Sequence, residues 1–352
     1  MTTRYEITRD ELARLLDAEG QPRYRAAQVW KGLYDERRPL EALTNVPAAL
    51  RTTLAARLPL ALEEVVRREA DNGTTVKWLW RTGDGAQVET VLMRYRSRAT
   101  VCVSSQAGCA MGCTFCATGQ AGFERHLAAH EIAEQVVRAQ HASPQRVGNV
   151  VFMGMGEPLA NTDAVLDACR RLHADLGLSA RHLTISTVGV VPGMQQLADF
   201  ELPVTLAVSL HAPDDALRER LVPLNRRYPI ADVIDAARAY AARKGRRVTF
   251  EYACIDGVND HPHLAEALAG KLVGFRGGAH VNLIPLNPTD AFGGRASSRA
   301  RIEAFAERLR AAGVNATIRA NRGTDIDAAC GQLRAREQPA ARAAPESARM
   351  EP

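Results

Sequence analysis

From residue 149 onward, short β-branched runs alternate with helix-periodic segments six times, and few folds accept that pattern. Strand candidates are 149–153, 182–186, 204–209, 248–254, 280–284 and 315–319; helix candidates are 130–141, 162–176, 214–221, 230–244, 262–273 and 297–312. Strand then helix, repeated, implies parallel crossovers, hence an α/β barrel or an open parallel sheet. In either, chemistry gathers at the carboxyl ends of the strands. Polar clusters stand at those ends: Gly154-Met-Gly-Glu-Pro-Leu159, Ser186-Thr-Val-Gly189, Ser209-Leu-His211 and Pro285-Leu-Asn287. They therefore converge on one rim.

Before this alternation lies a loop with three thiols, Cys109-x-x-x-Cys113-x-x-Cys116, delivered by the strand-like run 100–104 and carrying Phe115 just before its last cysteine. Three thiolates are one short of a closed tetrahedral zinc site, whereas a [4Fe-4S] cluster held by three cysteines keeps one iron open for an external ligand. A zinc loop borrowing His126 or His130 as a fourth ligand stays open on spacing alone. Seven cysteines, an odd count with three crowded into one loop, argue for metal or redox chemistry in a reducing compartment rather than a secreted disulfide framework.

The first 95 residues read differently. Thr8-Arg-Asp-Glu11 has capping-box spacing ahead of a short helix, and 22–34 places Tyr24, Val29, Trp30, Leu33 and Tyr34 near helical period with Arg23, Arg25 and Lys31 interleaved. Three strands follow at 62–70, 75–81 and 87–94, joined at Asp71-Asn-Gly73 and Gly83-Asp-Gly85. Residues 1–95 thus form a helical and β-meander accessory domain, 96–333 the α/β domain, and 334–352, rich in Ala, Pro and charge, a disordered tail. The N-terminus has no apolar signal core and no run of about 18 apolar residues occurs, so a cytoplasmic protein without a membrane partner is expected. A net charge of +5 is compatible with an RNA partner without demanding one.

The cluster loop resembles that of the radical S-adenosylmethionine (SAM) superfamily, whose fold is a partial parallel (β/α)6 barrel. Five further stretches are similar to one branch of it, the radical-SAM RNA methyltransferases of the RlmN/Cfr family: Val88-Glu-Thr-Val91, Phe152 to Leu159, Ser209 to Pro213, Asn282 to Pro285, and Asp325-Ile-Asp-Ala-Ala-Cys-Gly-Gln-Leu333. The resemblance implies a [4Fe-4S] cluster on Cys109, Cys113 and Cys116, and two SAM molecules per turnover. It implies SAM contacts at Gly156, Glu157, Ser186, Ser209, Leu210, His211 and Asn287. Cys330 would carry a methyl group as S-methylcysteine, and Cys102 would resolve the protein–RNA adduct and leave a disulfide. Glu89 occupies the position of a proton acceptor, with Cys102 as its competitor. Implied partners are 23S rRNA, tRNA for some members, and flavodoxin or ferredoxin as electron donor to a monomeric enzyme.

Within that family one branch methylates carbon 2 of adenine and the other carbon 8. Pro158 after Gly156-Glu157 and the full-length accessory domain favour carbon 2. Two other classes compete: a radical-SAM activase, which has no use for Cys330 and Cys102, and a zinc-loop RNA-binding protein without catalysis. Cys169, Cys254, His173 and His263 read as packing or surface residues.

Overall fold

The structure is a computed structural model that describes residues 2–289, 291–320 and 322–333. The expected tail at 334–352 lies outside them. In chain order the elements are α1 (Arg9–Ala18), α2 (Tyr24–Trp30), α3 (Ala48–Arg57), β1 (Leu62–Ala70), β2 (Thr75–Thr82), β3 (Gln87–Arg94), β4 (Ala99–Cys102), β5 (Gln106–Gly108), α4 (Ala117–Ala121), β6 (Phe123–His126), α5 (Ala129–His141), β7 (Val147–Phe152), α6 (Thr162–Ala174), β8 (Leu183–Thr187), α7 (Val191–Asp199), β9 (Thr205–Ser209), α8 (Asp215–Leu221), α9 (Ile230–Lys244), β10 (Val248–Cys254), α10 (Pro262–Leu272), β11 (Ala279–Pro285), α11 (Arg299–Ala311) and β12 (Asn315–Ile318).

One ten-stranded sheet runs β1-β2-β3-β4-β7-β8-β9-β10-β11-β12. The meander pairs antiparallel up to β4, and every pairing from β4 to β12 is parallel. Each crossover adds the next neighbour with no reversal of order, the winding of a barrel rather than of a doubly wound sheet. Alternation puts Leu206 and Val208, or Phe250 and Tyr252, outward into the core, while Val91, Cys102, Val151, Thr184, Ala207, Glu251, Asn282 and Thr317 face inward on one cavity. Eight strands can share a cavity only if the sheet curls. The expected parallel barrel is therefore present, with the meander as a continuation of its sheet: the anticipated boundary near residue 95 falls between two paired strands, Val91 opposite Cys102.

Local chemistry explains most boundaries. Thr8 and Glu11 make the capping box that starts α1. The helix expected over 22–34 is α-helical only to Trp30 and widens into a π-turn at Lys31–Asp35, where Trp30 stacks on Tyr34 at 4.0 Å. Helix α7 is not anticipated by the sequence reading, because Pro192 and Gly193 look like breakers. Pro192 instead occupies the first turn, where its missing N–H costs nothing, and Gly193 lets the helix approach so closely that a Cβ there would stand 2.6 Å from Leu159 Cβ.

Candidate active site

The cluster loop hangs between β5 and α4. Cys109 N donates to Gly122 O at 2.7 Å, Cys116 N to Cys113 O at 3.2 Å, and Thr114 N to Leu221 O at 3.1 Å, so the loop is laced to α8 as well as to itself. Burial pushes the Cys109 thiol up to about 12 and Cys113 well above the usual thiol range, with Cys116 and Glu157 adding to both. Three thiolates here would repel one another in a dry setting, and a cationic centre is what would let them ionise. Among the described residues no three Cys, His, Asp or Glu side chains converge closely enough to share one metal ion. His126, the candidate fourth zinc ligand, has its Nδ1 held by Gln106 Nε2 at 3.0 Å.

The rim residues meet round a single cavity of about 160 Å³ that includes Cys113, Cys116, Gly156, Glu157, Ser186, Ser209, His211, Asn287 and Cys330. Two expected members differ. The Cys109 side chain is not among those lining the cavity, and Leu210 is fully buried, so it acts through its backbone: its N–H donates to Glu251 O at 3.1 Å and its carbonyl accepts from Arg218 Nε at 3.2 Å.

Gly156 sits at φ +100°, where a Cβ would lie 2.5 Å from Gln106 Cβ, so only glycine lets the backbone pass there. Glu157 follows, anchored by Leu159 N at 2.9 Å on one oxygen and Val188 N at 2.8 Å on the other. Burial raises its carboxyl to about 7, against the pull of those two amides. A buried carboxylate with no ion-pair partner among the described residues is well matched to a ligand ammonium. His211 is held at φ +61° by Ala253 N on its Nδ1 and Asn259 Nδ2 on its carbonyl, and burial lowers it to about 3, so it is neutral. Phe115 packs edge-on to it at 4.8 Å, tying cluster loop to rim. Asn287 donates Nδ2 to Cys330 O at 3.0 Å while its buried Oδ1 has no partner among the described residues, an acceptor waiting for a donor.

Behind the rim, inside the barrel, is a second and larger cavity, and Cys102 and Cys330 both line it. Cys330 lines the first as well, so it stands at the neck between them. Its side chain is open to the cavity although it lies deep in the molecule, and burial raises its thiol; Cys102 is raised also, by burial first and then by Cys330. The loop bearing Cys330 is stitched to the cluster helix by Ala117 N to Gly331 O at 2.8 Å and to the meander by Lys77 Nζ to Asp327 O at 3.2 Å. Glu89 lines neither cavity. It is buried beside Lys77, Oε1 to Nζ 3.0 Å, so its link to Cys330 runs through Lys77 and Asp327.

The sequence reading missed Arg218, Gln106, Glu251 and Arg319. Arg218 is fully buried and donates to Asn225 Oδ1 as well as to the carbonyls of Leu210 and Val188, fixing two rim strands. Gln106 Oε1 accepts from Glu157 N at 2.8 Å. Cys169 and Cys254 are buried packing residues, as expected, and all seven cysteines are free thiols.

The description Radical SAM superfamily matches residues 103–268. The chain is 52% identical over 351 residues, 94% of its length and 91% of the other's, to a probable dual-specificity RNA methyltransferase RlmN of Parafrankia sp. (strain EAN1pec). It is 49% identical over 332 residues, 92% of this chain and 91% of the other, to a protein of the same name from Synechococcus elongatus. In three dimensions it is similar to a radical SAM methyltransferase from Sphaerobacter thermophilus, with a TM-score of 0.89 and 50% identity over 96% of this chain and 100% of that one.

Proposed function

The chain belongs to the RlmN family of radical-SAM RNA methyltransferases, and we propose that its target is carbon 2 of an adenine in 23S rRNA near the peptidyl-transferase centre, and also the adenine 3′ of the tRNA anticodon. The observation that carries this reading is Cys330 at the neck: it shares one cavity with Cys113, Cys116 and the rim, and the other with Cys102.

A [4Fe-4S] cluster on Cys109, Cys113 and Cys116, with SAM on its open iron, would supply a carbon radical able to remove hydrogen from a methyl group. Everything else falls to side chains. Glu157 holds a ligand ammonium, Ser186, Ser209 and the unpartnered Asn287 Oδ1 offer hydrogen bonds, and Gly156 lets the backbone approach. Cys330 accepts a methyl group on sulfur, a soft nucleophile once ionised, and presents that carbon to an adenine extruded from its stack. Cys102 then attacks the Cys330 sulfur, releasing methylated RNA and leaving a disulfide. Glu89 is the proposed acceptor of the ring proton. Lying beside Lys77 rather than on a cavity wall, it needs the Cys330 loop to move before it reaches the base.

Pro158, opening a single 3-10 turn directly after Glu157, supports carbon 2 over carbon 8. The exposed Arg23 and Tyr24 of the accessory helices make that face the proposed RNA-docking surface. A flavodoxin or ferredoxin is the proposed reductant, acting in the cytoplasm on a monomer. Among the described residues no helix is long and apolar enough to cross a membrane.

The test uses anaerobically purified protein with its cluster. Peptide mass spectra should show one added methylene on Cys330, absent in Cys330→Ala. RNA deuterated at adenine carbon 2 should lose label on turnover, while RNA deuterated at carbon 8 keeps it. Loss from carbon 8 would reassign the branch, and an unmodified Cys330 after incubation with SAM would overturn the relay.

A further inference from the structure

The neck holds a second buried ionisable group with no part in the reaction so far. Glu251 lies on β10 between β9 and β11, 5% exposed, and lines both cavities together with Cys330 and Arg319. Its surroundings are built. In register across three parallel strands, Glu251 stands opposite Asn282 and Asn282 opposite Thr317. Asn282 Nδ2 donates to Glu251 Oε1 at 2.9 Å, and Thr317 Oγ1 donates to Asn282 Oδ1 at 2.8 Å. Having spent its one proton there, the Thr317 hydroxyl must accept from His280 Nε2, 2.9 Å away, which assigns His280 the Nε2–H tautomer and leaves its Nδ1 without a partner among the described residues. Every donor in the row therefore points toward the carboxylate, and such chains polarise cooperatively. One oxygen of Glu251 is fixed by this ladder; the other has no protein partner among the described residues and is left to the cavity.

We propose that Glu251 is the proton acceptor for Cys330 when its sulfur is alkylated. This rests on the methyl-relay reading above. The S–H proton passes to the Glu251 carboxylate, and the electron pair of that bond stays on sulfur. Sulfur bonds to the methyl carbon of SAM, and the methyl–sulfonium bond breaks with its pair going to S-adenosylhomocysteine. Nothing is oxidised or reduced. The carboxylic acid then loses its proton to water in the cavity.

The physical case is charge conservation. Ionising Cys330 into bulk water would create a new anion at a site whose burial already disfavours thiolate. Passing the proton to Glu251 only moves one negative charge across the neck, and Arg319, whose charge favours the ionised form of both groups, attracts it at either end. Burial also raises the Glu251 carboxyl, making it a stronger base than an exposed glutamate. Of the other thiols at these cavities, Cys102 is made harder to ionise by burial and then by Cys330, and Cys116 adds to the cost of ionising Cys330 itself.

The experiment turns on a difference of sign. In the full chain with its cluster, Cys330 alkylation by iodoacetamide, a neutral reagent, is followed by peptide mass spectrometry from pH 6 to 9 in wild type, Glu251→Gln and Glu251→Asp. A carboxylate that merely repels a thiolate predicts faster alkylation in Glu251→Gln, because removing the negative charge eases ionisation. A proton acceptor predicts the reverse: a loss of about tenfold or more at pH 7 that closes at high pH, with partial rescue in Glu251→Asp and unchanged melting. Equal or faster alkylation in Glu251→Gln overturns the proposal, even where SAM still methylates wild-type Cys330 and the relay stands. Conversely, the expected profile in a wild type that gains no methyl from SAM would support the acid–base pairing and refute the relay.

Discussion

Replacing Lys77 with methionine tests the join between meander and barrel. The Lys77 Nζ stands 3.0 Å from Glu89 Oε1, the side chains are 10% and 2% exposed, and the same ammonium donates to Asp327 O in the loop that carries Cys330. Two unit charges at that distance attract by about 5 kcal/mol at an effective dielectric constant near 20, much of it offset by the cost of burying them. Lys77→Met removes the cation from beside a carboxylate that water cannot reach, and breaking one side of such a pair costs about 3–5 kcal/mol. For a chain of this length that corresponds to a fall of roughly 4–7 °C in melting temperature. Neutralising both partners, Lys77→Met with Glu89→Gln, should restore stability to within about 1–2 kcal/mol of wild type, since nothing charged is then left buried. The assay is a double-mutant cycle by urea and thermal melting under reducing conditions, with limited proteolysis of residues 322–328 reporting release of the Cys330 loop. A single-mutant cost below about 1 kcal/mol, or a double mutant equal to the sum of the singles, would refute the reasoning.

Four other outcomes are expected. Gly156→Ala forces a Cβ against Gln106 at a φ that alanine resists, so about 1–3 kcal/mol of stability and most SAM affinity should be lost by melting and calorimetry. Glu157 holds its proton more tightly folded, near 7, than unfolded, near 4.5, so its contribution makes stability fall as pH rises through that window; Glu157→Gln should flatten the slope. SAM affinity should strengthen between pH 6 and 8 in wild type and not in that variant. Arg218→Met strands the carbonyls of Leu210 and Val188 and the Asn225 amide oxygen in the core, for a loss of about 3–5 kcal/mol seen in urea unfolding. Changing Arg23, Arg25 and Lys31 together to alanine should weaken RNA binding in a filter assay and leave SAM cleavage without RNA intact; unchanged RNA affinity would remove that face from the account.

Much of the fold was legible because its signals are local. The run 248–254 alternates inward and outward residues and is β10 to the residue, and the helix read over 230–244 is α9. Helix α7 was hidden because Pro192 and Gly193 carry opposite meanings inside a helix and at its first turn, and only the packing on Leu159 says which applies. The rim was legible for the same local reason: each of its clusters stands at the end of its own strand, and a parallel sheet brings all such ends to one side, whereas the three-thiol loop follows β5 of a separate two-stranded sheet.

Position along the chain says nothing of what lies opposite across a barrel. That Cys102 and Cys330 line one cavity, that Glu89 is buried against Lys77, and that Glu251, at the head of a ladder through Asn282 and Thr317, lines both cavities with Cys330 are consequences of strand register and sheet curl. Arg218 and Glu251 look in sequence like any surface charge, because burial is a property of neighbours that arrive from other strands. The amino-acid sequence by itself determined the kind of chemistry, through residue types at short spacings. Tertiary structure alone decided which groups share a cavity, and inside a protein, where charges interact more strongly than in water, that sharing sets which proton and which charge can move.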